Sequence, residues 1–155
     1  MRIRAARETD VEDLFDIRCS VIENHQSREE LAELDITPET VAEMITGGEY
    51  ISLLAEMNER PVGFTMARIS EGYIFACFVR PADENQGVGR ALMTETERKL
   101  FQNGKRDLWL STGPGCELRA VGFYKRLGWK ENGFLDDGQI RFEKTLEAEG
   151  FQKTQ

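Results

Sequence analysis

Residues Ile74 to Leu92 read I-F-A-C-F-V-R-P-A-D-E-N-Q-G-V-G-R-A-L: an apolar run, a proline, a glycine-bearing loop and a helix start. Ile74 to Val79 is continuously apolar with aromatic and β-branched members, the pattern of a central strand. Pro81 has no N–H to give a ladder, so the strand should stop there. Gly87 and Gly89 lack a Cβ where the backbone must turn, which lets a ligand approach their N–H groups. Val88, Leu92, Thr96 and Leu100 then recur with helical period. An exposed helix N-terminus is an anion site, and phosphate is the usual anion.

Several readings of the loop compete. A Walker loop needs G-x-x-x-x-G-K-[ST], which does not occur in the chain. The dinucleotide fingerprint G-x-G-x-x-G needs glycine or alanine where Leu92 stands. Its acidic residue should end the next strand, whereas Asp107 begins the next apolar run. A third reading is a pyrophosphate held almost wholly by backbone amides, as in acyl-CoA users. The plainest is a helix start with glycines and no ligand. The loop alone leaves the last two open.

A second block separates them. Arg119 to Lys130 reads R-A-V-G-F-Y-K-R-L-G-W-K. With V-x-P-x-x-x-x-x-G-x-G-R-A-L upstream, the chain resembles the GNAT superfamily of N-acetyltransferases. The later block is similar to the family's A-x-x-F-Y-x-x-x-G-F/W motif through Ala120, Phe123, Tyr124, Gly128 and Trp129. The resemblance covers nearly all of the chain. Two positions depart from the pattern. Glu84 stands where Arg or Gln usually opens the loop, with Asn85 where a glycine is frequent. Glu117 replaces an asparagine common three residues before the motif's alanine.

The 155 residues suffice for one domain with a core of its own. Apolar content of 40% and charged content of 31% fit a globular chain. Met1-Arg2-Ile3-Arg4 leads into no apolar leader, and no run approaches a membrane span. Cys19, Cys77 and Cys116 have no metal spacing and read as reduced thiols of a cytoplasmic protein. The single histidine argues against a histidine-rich metal site, and no metal is expected. A net charge of −8 argues against nucleic acid as partner. From Glu23 to Glu59 there are ten acids against one base, Arg28, whereas Phe78 to Lys130 holds ten bases against six acids. That asymmetry suits a cationic amine acceptor beside a polyanionic cofactor. It equally suits acids that merely solvate helix faces.

Along the chain, a strand over Arg2 to Ala6 precedes Thr9-x-x-Glu12, which reads as a capping box. The helix it opens has Val11, Leu14, Phe15, Val21 and Ile22 as core face. A second box, Ser27-x-x-Glu30, implies a break near Asn24 to Gln26. Thr37-Pro38 starts a third helix that ends at Gly47-Gly48. Strands are expected at Tyr50 to Met57 and Val62 to Ile69, turning through Asn58-Glu59-Arg60, and a hairpin at Glu71-Gly72 leads into the central strand. Asn103-Gly104 stops the long helix. Leu108 to Ser111 should run parallel to the central strand, because a helix joins them. A loop at Thr112 to Gly115, a helix over Glu117 to Leu127 and a hairpin of Trp129 to Phe134 with Gln139 to Leu146 complete the fold. The expectation is a single α/β domain over residues 1–146, with 147–155 a frayed tail. Its mixed, largely antiparallel sheet carries a parallel, splayed central strand pair and helices on both faces.

The resemblance implies the chemistry. Acetyl transfer to an amine requires that the cofactor be held, the amine lose its proton, the oxyanion be stabilised and the thiolate leave. By the family pattern, the backbone of Phe78 and Val79 pairs with the pantetheine of acetyl-CoA. N–H groups of Asn85, Gln86, Gly87, Val88, Gly89 and Arg90 hold its pyrophosphate, and a backbone N–H of the central strand serves the oxyanion. Tyr124, in the motif position, is the expected general acid and also lies at the cofactor. A phenol with pKa about 10 stays protonated at neutral pH and can donate to sulfur. For the base, Glu23 and His25 lie at the helix break where the family places its acceptor wall, with Glu71 or a water chain as substitutes. His25 is the residue type that titrates near neutrality. Cys116 as an acyl carrier has no histidine near it in sequence.

The sequence thus predicts a cytoplasmic, acetyl-CoA-dependent N-acetyltransferase acting directly on a small-molecule or peptide amine, with no nucleic acid or membrane partner. An acyl-CoA-binding sensor without turnover is the alternative. The resemblance also brings homodimerisation, with no residue fixing an interface.

Overall fold

Alternation of period two puts Ile51, Leu53 and Ala55 on one face of a strand and Leu54 on the other. The next strand has Val62 and Ala67 on one face against Phe64 and Met66 on the other, an irregularity at Val62 having shifted the alternation by one residue. These strands lie within a seven-stranded sheet in the computed structural model, which describes residues 1–22, 25–113 and 117–148, with the backbone alone at 117 and 118. The strands are β1 (Arg2–Ala5), β2 (Tyr50–Met57), β3 (Arg60–Arg68), β4 (Tyr73–Val79), β5 (Asp107–Thr112), β6 (Lys130–Phe134) and β7 (Ile140–Thr145). Their order is β1-β2-β3-β4-β5-β7-β6, and only β4 and β5 pair in parallel. The last hairpin inserts β7 between β5 and β6.

Five helices cover both faces: α1 (Val11–Ser20), α2 (Arg28–Glu33), α3 (Pro38–Thr46), α4 (Val88–Gln102) and α5 (Glu117–Arg126). Leu14, Phe15, Ile17, Leu31 and Val41 bring α1 to α3 onto one core. α4 seals the other with Leu92, Met93 and Leu100, beside Trp129 and Phe142. The mixed, largely antiparallel α/β sheet with a parallel central pair is as the sequence predicts. Among the described residues, no helix is long and apolar enough to cross a membrane.

Two local expectations are overturned. Thr9 does not cap α1; it lies inside a 3-10 turn, Glu8–Asp10, that precedes the helix. Asp10 holds the N-cap position of α1 without a side-chain cap bond; its carboxylate instead accepts the Arg7 N–H at 2.7 Å and two Arg4 N–H bonds at 2.8 and 2.9 Å. The Arg4 guanidinium holds the Asp10 carboxyl below its usual range. A tertiary ion pair thus outweighs a local box. Val21 and Ile22 are not core either: the chain leaves α1 at Ser20, Val21 is extended, and Ile22 is 83% exposed. Ile17, buried completely, takes that place. The box at Ser27 forms as read, Thr37 caps α3 with Pro38 in its first turn, and Asn58 and Glu59 turn the β2–β3 hairpin in left-handed conformation.

Polar pairs tie α4 to the sheet. Glu97, almost buried, meets Lys144 of β7 at 2.7 Å and Trp129 Nε1 at 3.3 Å. Burial nevertheless pushes its carboxyl above the usual range. Nearer the cleft, the Thr65 and Thr96 hydroxyls meet at 2.7 Å, and Thr96 donates to the Leu92 carbonyl. Both threonines are fully buried. Thr96→Val keeps the volume and leaves the Thr65 hydroxyl without that partner. It should cost about 1–2 kcal/mol in urea unfolding. An unchanged midpoint would mean that Thr65 finds another acceptor.

Candidate functional site

β4 and β5 begin as neighbours and then part. Their only register pair is Tyr73 with Trp109, next to a Trp109 N–H bond to the Gly72 carbonyl at 3.0 Å. A bulge at Phe75, opposite Met66 and Ala67 of β3, accompanies the divergence. Bulges bend the strand that carries them. β4 keeps its pairing with β3 and β5 its pairing with β7 through Thr112, so beyond Tyr73 and Trp109 each strand turns an open edge to the gap.

The ladder shows which groups line the β4 edge. Arg80 N–H donates to the Val62 carbonyl at 2.8 Å. In an antiparallel pair hydrogen-bonded positions alternate, so Phe78 spends its backbone groups on Phe64. The N–H and C=O of Cys77 and Val79 then face the gap. Val79 is where the sequence puts it; Phe78 contributes its ring rather than its backbone, and Cys77 is the edge residue that the motif does not announce.

The gap opens into a cleft of about 710 Å³ between β4, β5, α5 and the loop before α4. Phe78, Val79, Asn85, Gly87, Val88, Gly89, Arg90 and Tyr124 all line it. Gln86 lies between two lining residues and is exposed without lining the cleft itself. Asn85 at φ 63° and Gly87 at φ 82° wind the loop through left-handed backbone, and Gly87 is the N-cap of α4. No side chain caps those first N–H groups, which leaves them to a ligand. At Gly89, a Cβ would stand 3.1 Å from the Phe123 ring, so glycine there also lets α4 and α5 approach. Asp83, buried behind the loop, braces it through Arg60 at 3.0 Å.

Glu84 carries the charge that departs from the family pattern, and its carboxylate meets Arg119 of α5 at 2.7 Å. The unfavourable charge is therefore compensated across the cleft mouth. Arg90 and Arg126 also line the cleft, so its arginines exceed its carboxylates among the described residues. None of the described acids between Glu29 and Glu59 lines it. Glu30 caps Ser27 and Glu56 pairs with Arg4, as surface carboxylates do.

Tyr124 is half-buried, its ring against Phe123, Trp129 and Phe142 at centroid separations of 5.0, 6.4 and 5.8 Å. Across the cleft Val21 and Ile22 form the opposing wall. His25 follows this wall, exposed and outside the cleft lining, with Nδ1 3.0 Å from the Val21 carbonyl. Glu23 and Cys116 lie outside the described residues. Glu71 precedes β4, pairs with Arg68 and does not line the cleft. Burial pushes the Cys77 thiol up to about 12, so this cleft cysteine stays a neutral thiol. Among the described residues no group of three or more His, Cys, Asp or Glu converges to hold a metal.

A family model described as the acetyltransferase (GNAT) family matches residues 11–129. No curated protein matches by sequence. Among solved structures, the chain is similar to the PaiA N-acetyltransferase of Thermoplasma acidophilum in complex with coenzyme A. That match has TM-score 0.82 and 18% identity and covers 94% of this chain and 98% of that one. The ribosomal-protein-S18-alanine N-acetyltransferase of Escherichia coli gives 0.73 at 20% identity, covering 94% of each chain. An aminoglycoside 6'-acetyltransferase type Ii gives 0.74 at 23%, covering 94% of this chain and 97% of that one. At these identities the likeness is one of fold.

Proposed function

Because this chain belongs to the acetyltransferase (GNAT) family, we propose that it transfers an acetyl group from acetyl-CoA directly to a primary amine. The observation that carries the reading is the open β4 edge running into a Gly87-capped helix, with Tyr124 on the facing wall. The Cys77 and Val79 edge pairs with the amide-bearing pantetheine arm as a missing strand would. The α4 N-terminus takes the pyrophosphate, and a β4 N–H stabilises the carbonyl oxygen as it gains charge. Tyr124 gives its proton to the departing sulfur. Proton removal from the ammonium is assigned to the linker beyond Val21. There the Nδ1–H tautomer of His25, bonded to the Val21 carbonyl, leaves Nε2 as the acceptor.

Thiol release from acetyl-CoA across a panel of amines tests the reading. Amine-dependent release supports it, and coenzyme A binding without release on any amine would favour the sensor alternative. Glu84, which made that alternative attractive, is neutralised by Arg119.

The Glu84–Arg119 pair makes its own prediction. Both side chains are partly exposed, so the pair itself is weak. Glu84→Gln removes a negative charge from the phosphate end and frees Arg119. Coenzyme A affinity should rise by roughly 3- to 10-fold in calorimetry, the range of one charge-assisted contact. Weaker binding in the variant would show that Glu84 helps shape the loop.

A further inference from the structure

Arg18 is a cation without a carboxylate. It stands in the last turn of α1 with its guanidinium carbon 4.4 Å above the Phe78 ring, which itself rests on Phe64. Nη2 donates to Gln26 Oε1 at 2.7 Å. Nη1 is buried and has no hydrogen-bond partner. Among the described residues no acid lies within ion-pair distance of it, although Arg28 in the same corner reaches both Glu12 and Asp16. Burial disfavours its charge, yet a guanidinium cannot give that charge up at physiological pH. A buried donor with no acceptor calls for one.

The place narrows the choice of anion. Arg18 does not itself line the cleft; it stands directly behind Phe78, whose ring does, as do Val21 and Ile22 a few residues further along the chain. On the reading above, the cofactor's phosphates have their own provision at the uncapped α4 N-terminus. The corner between α1 and Phe78 therefore adjoins the cleft away from the loop that precedes α4. A flat guanidinium stacked on an aromatic ring offers two parallel N–H groups, the geometry that fits a carboxylate. Gln26, a neutral acceptor, can yield its place to a charged one. Resting on the transferase reading above, we propose that Arg18 anchors the carboxylate of the acceptor, which is a small amine that is also a carboxylic acid, such as a free amino acid.

Matched pairs test this: free amino acids against their carboxamides, with the same amine and no carboxylate. The wild-type protein should favour the acid by at least about tenfold in kcat/KM, the usual worth of a charge-assisted pair. Arg18→Met should abolish that preference through KM, leaving turnover of the carboxamide and coenzyme A affinity unchanged. Arg18→Lys, which keeps the charge without the fork, should restore only part of it. Equal kcat/KM on acid and carboxamide, a preference that survives in Arg18→Met, or turnover confined to amines lacking a carboxylate would each overturn the assignment while leaving the transferase reading intact. Coenzyme A binding with no amine accepted would bring down both.

Discussion

Tyr124→Phe should lower turnover by roughly 10²-fold or more with little change in cofactor affinity, the range expected for loss of a general acid. The substitution removes one oxygen and keeps the ring. Its edge contacts to Trp129 and Phe123 and its tilt on Phe142 need no hydroxyl, so α5 should stay where it is. What changes is the departure of sulfur, which must then leave as a thiolate or draw a proton from water. The loss should fall on kcat, because an interaction made only as the bond breaks does not help the ground state. Single-turnover measurements make chemistry visible even where product release limits the steady state. A variant with wild-type single-turnover rate would return Tyr124 to a packing role.

Much of the frame is legible residue by residue. Tyr50–Met57 has the predicted bounds because period-two alternation against two cores leaves no other register. Val88, Leu92, Thr96 and Leu100 of α4 are all buried, as their spacing requires. The end of α1 was not legible, since Val21 and Ile22 continue the helical apolar period. They are apolar because they wall a cleft, and local pattern cannot tell a ligand-facing residue from a core one. The strand order was hidden for a different reason. Nothing in Lys130–Phe134 or Ile140–Thr145 states which of them meets β5.

Within the site, the backbone elements were readable and the side-chain charges were not. Gly87 and Gly89 announce themselves because conformation and close approach restrict those positions to glycine. Glu84 reads as a flaw in sequence because its partner Arg119 is supplied by another helix, far along the chain. Nothing in the local sequence singles out Arg18; its contact with the Phe78 ring and its buried Nη1 do. The ten acids from Glu23 to Glu59 left two readings open, a cationic acceptor or solvated surface. Clustered in sequence, the described ones spread over α2, α3, β2 and the turns beside them without lining the cleft, so they lend no geometric support to a cationic acceptor.

Gly87→Val should weaken coenzyme A binding by roughly 10²-fold. Two effects combine. At φ 82° a β-branched residue is strained by about 1–3 kcal/mol. In addition, the space over its Cα holds no protein atom within 4 Å. That space is where the pyrophosphate must come to reach the first N–H groups of α4. If the loop keeps its shape, the isopropyl group stands between phosphate and amide; if it relaxes, the amides turn away. Each charge-assisted bond lost is worth about 1.5–3 kcal/mol, so strain and lost contacts together reach the predicted factor. Gly104 supplies the matched control, with φ 85° and no atom within 4 Å of its would-be Cβ, at the other end of α4. Gly104→Val should suffer similar strain, seen as a similar loss of urea stability, and leave coenzyme A affinity untouched. Unchanged affinity in a folded Gly87→Val protein would remove the pyrophosphate from this loop, and with it the assignment of the open β4 edge to the pantetheine arm.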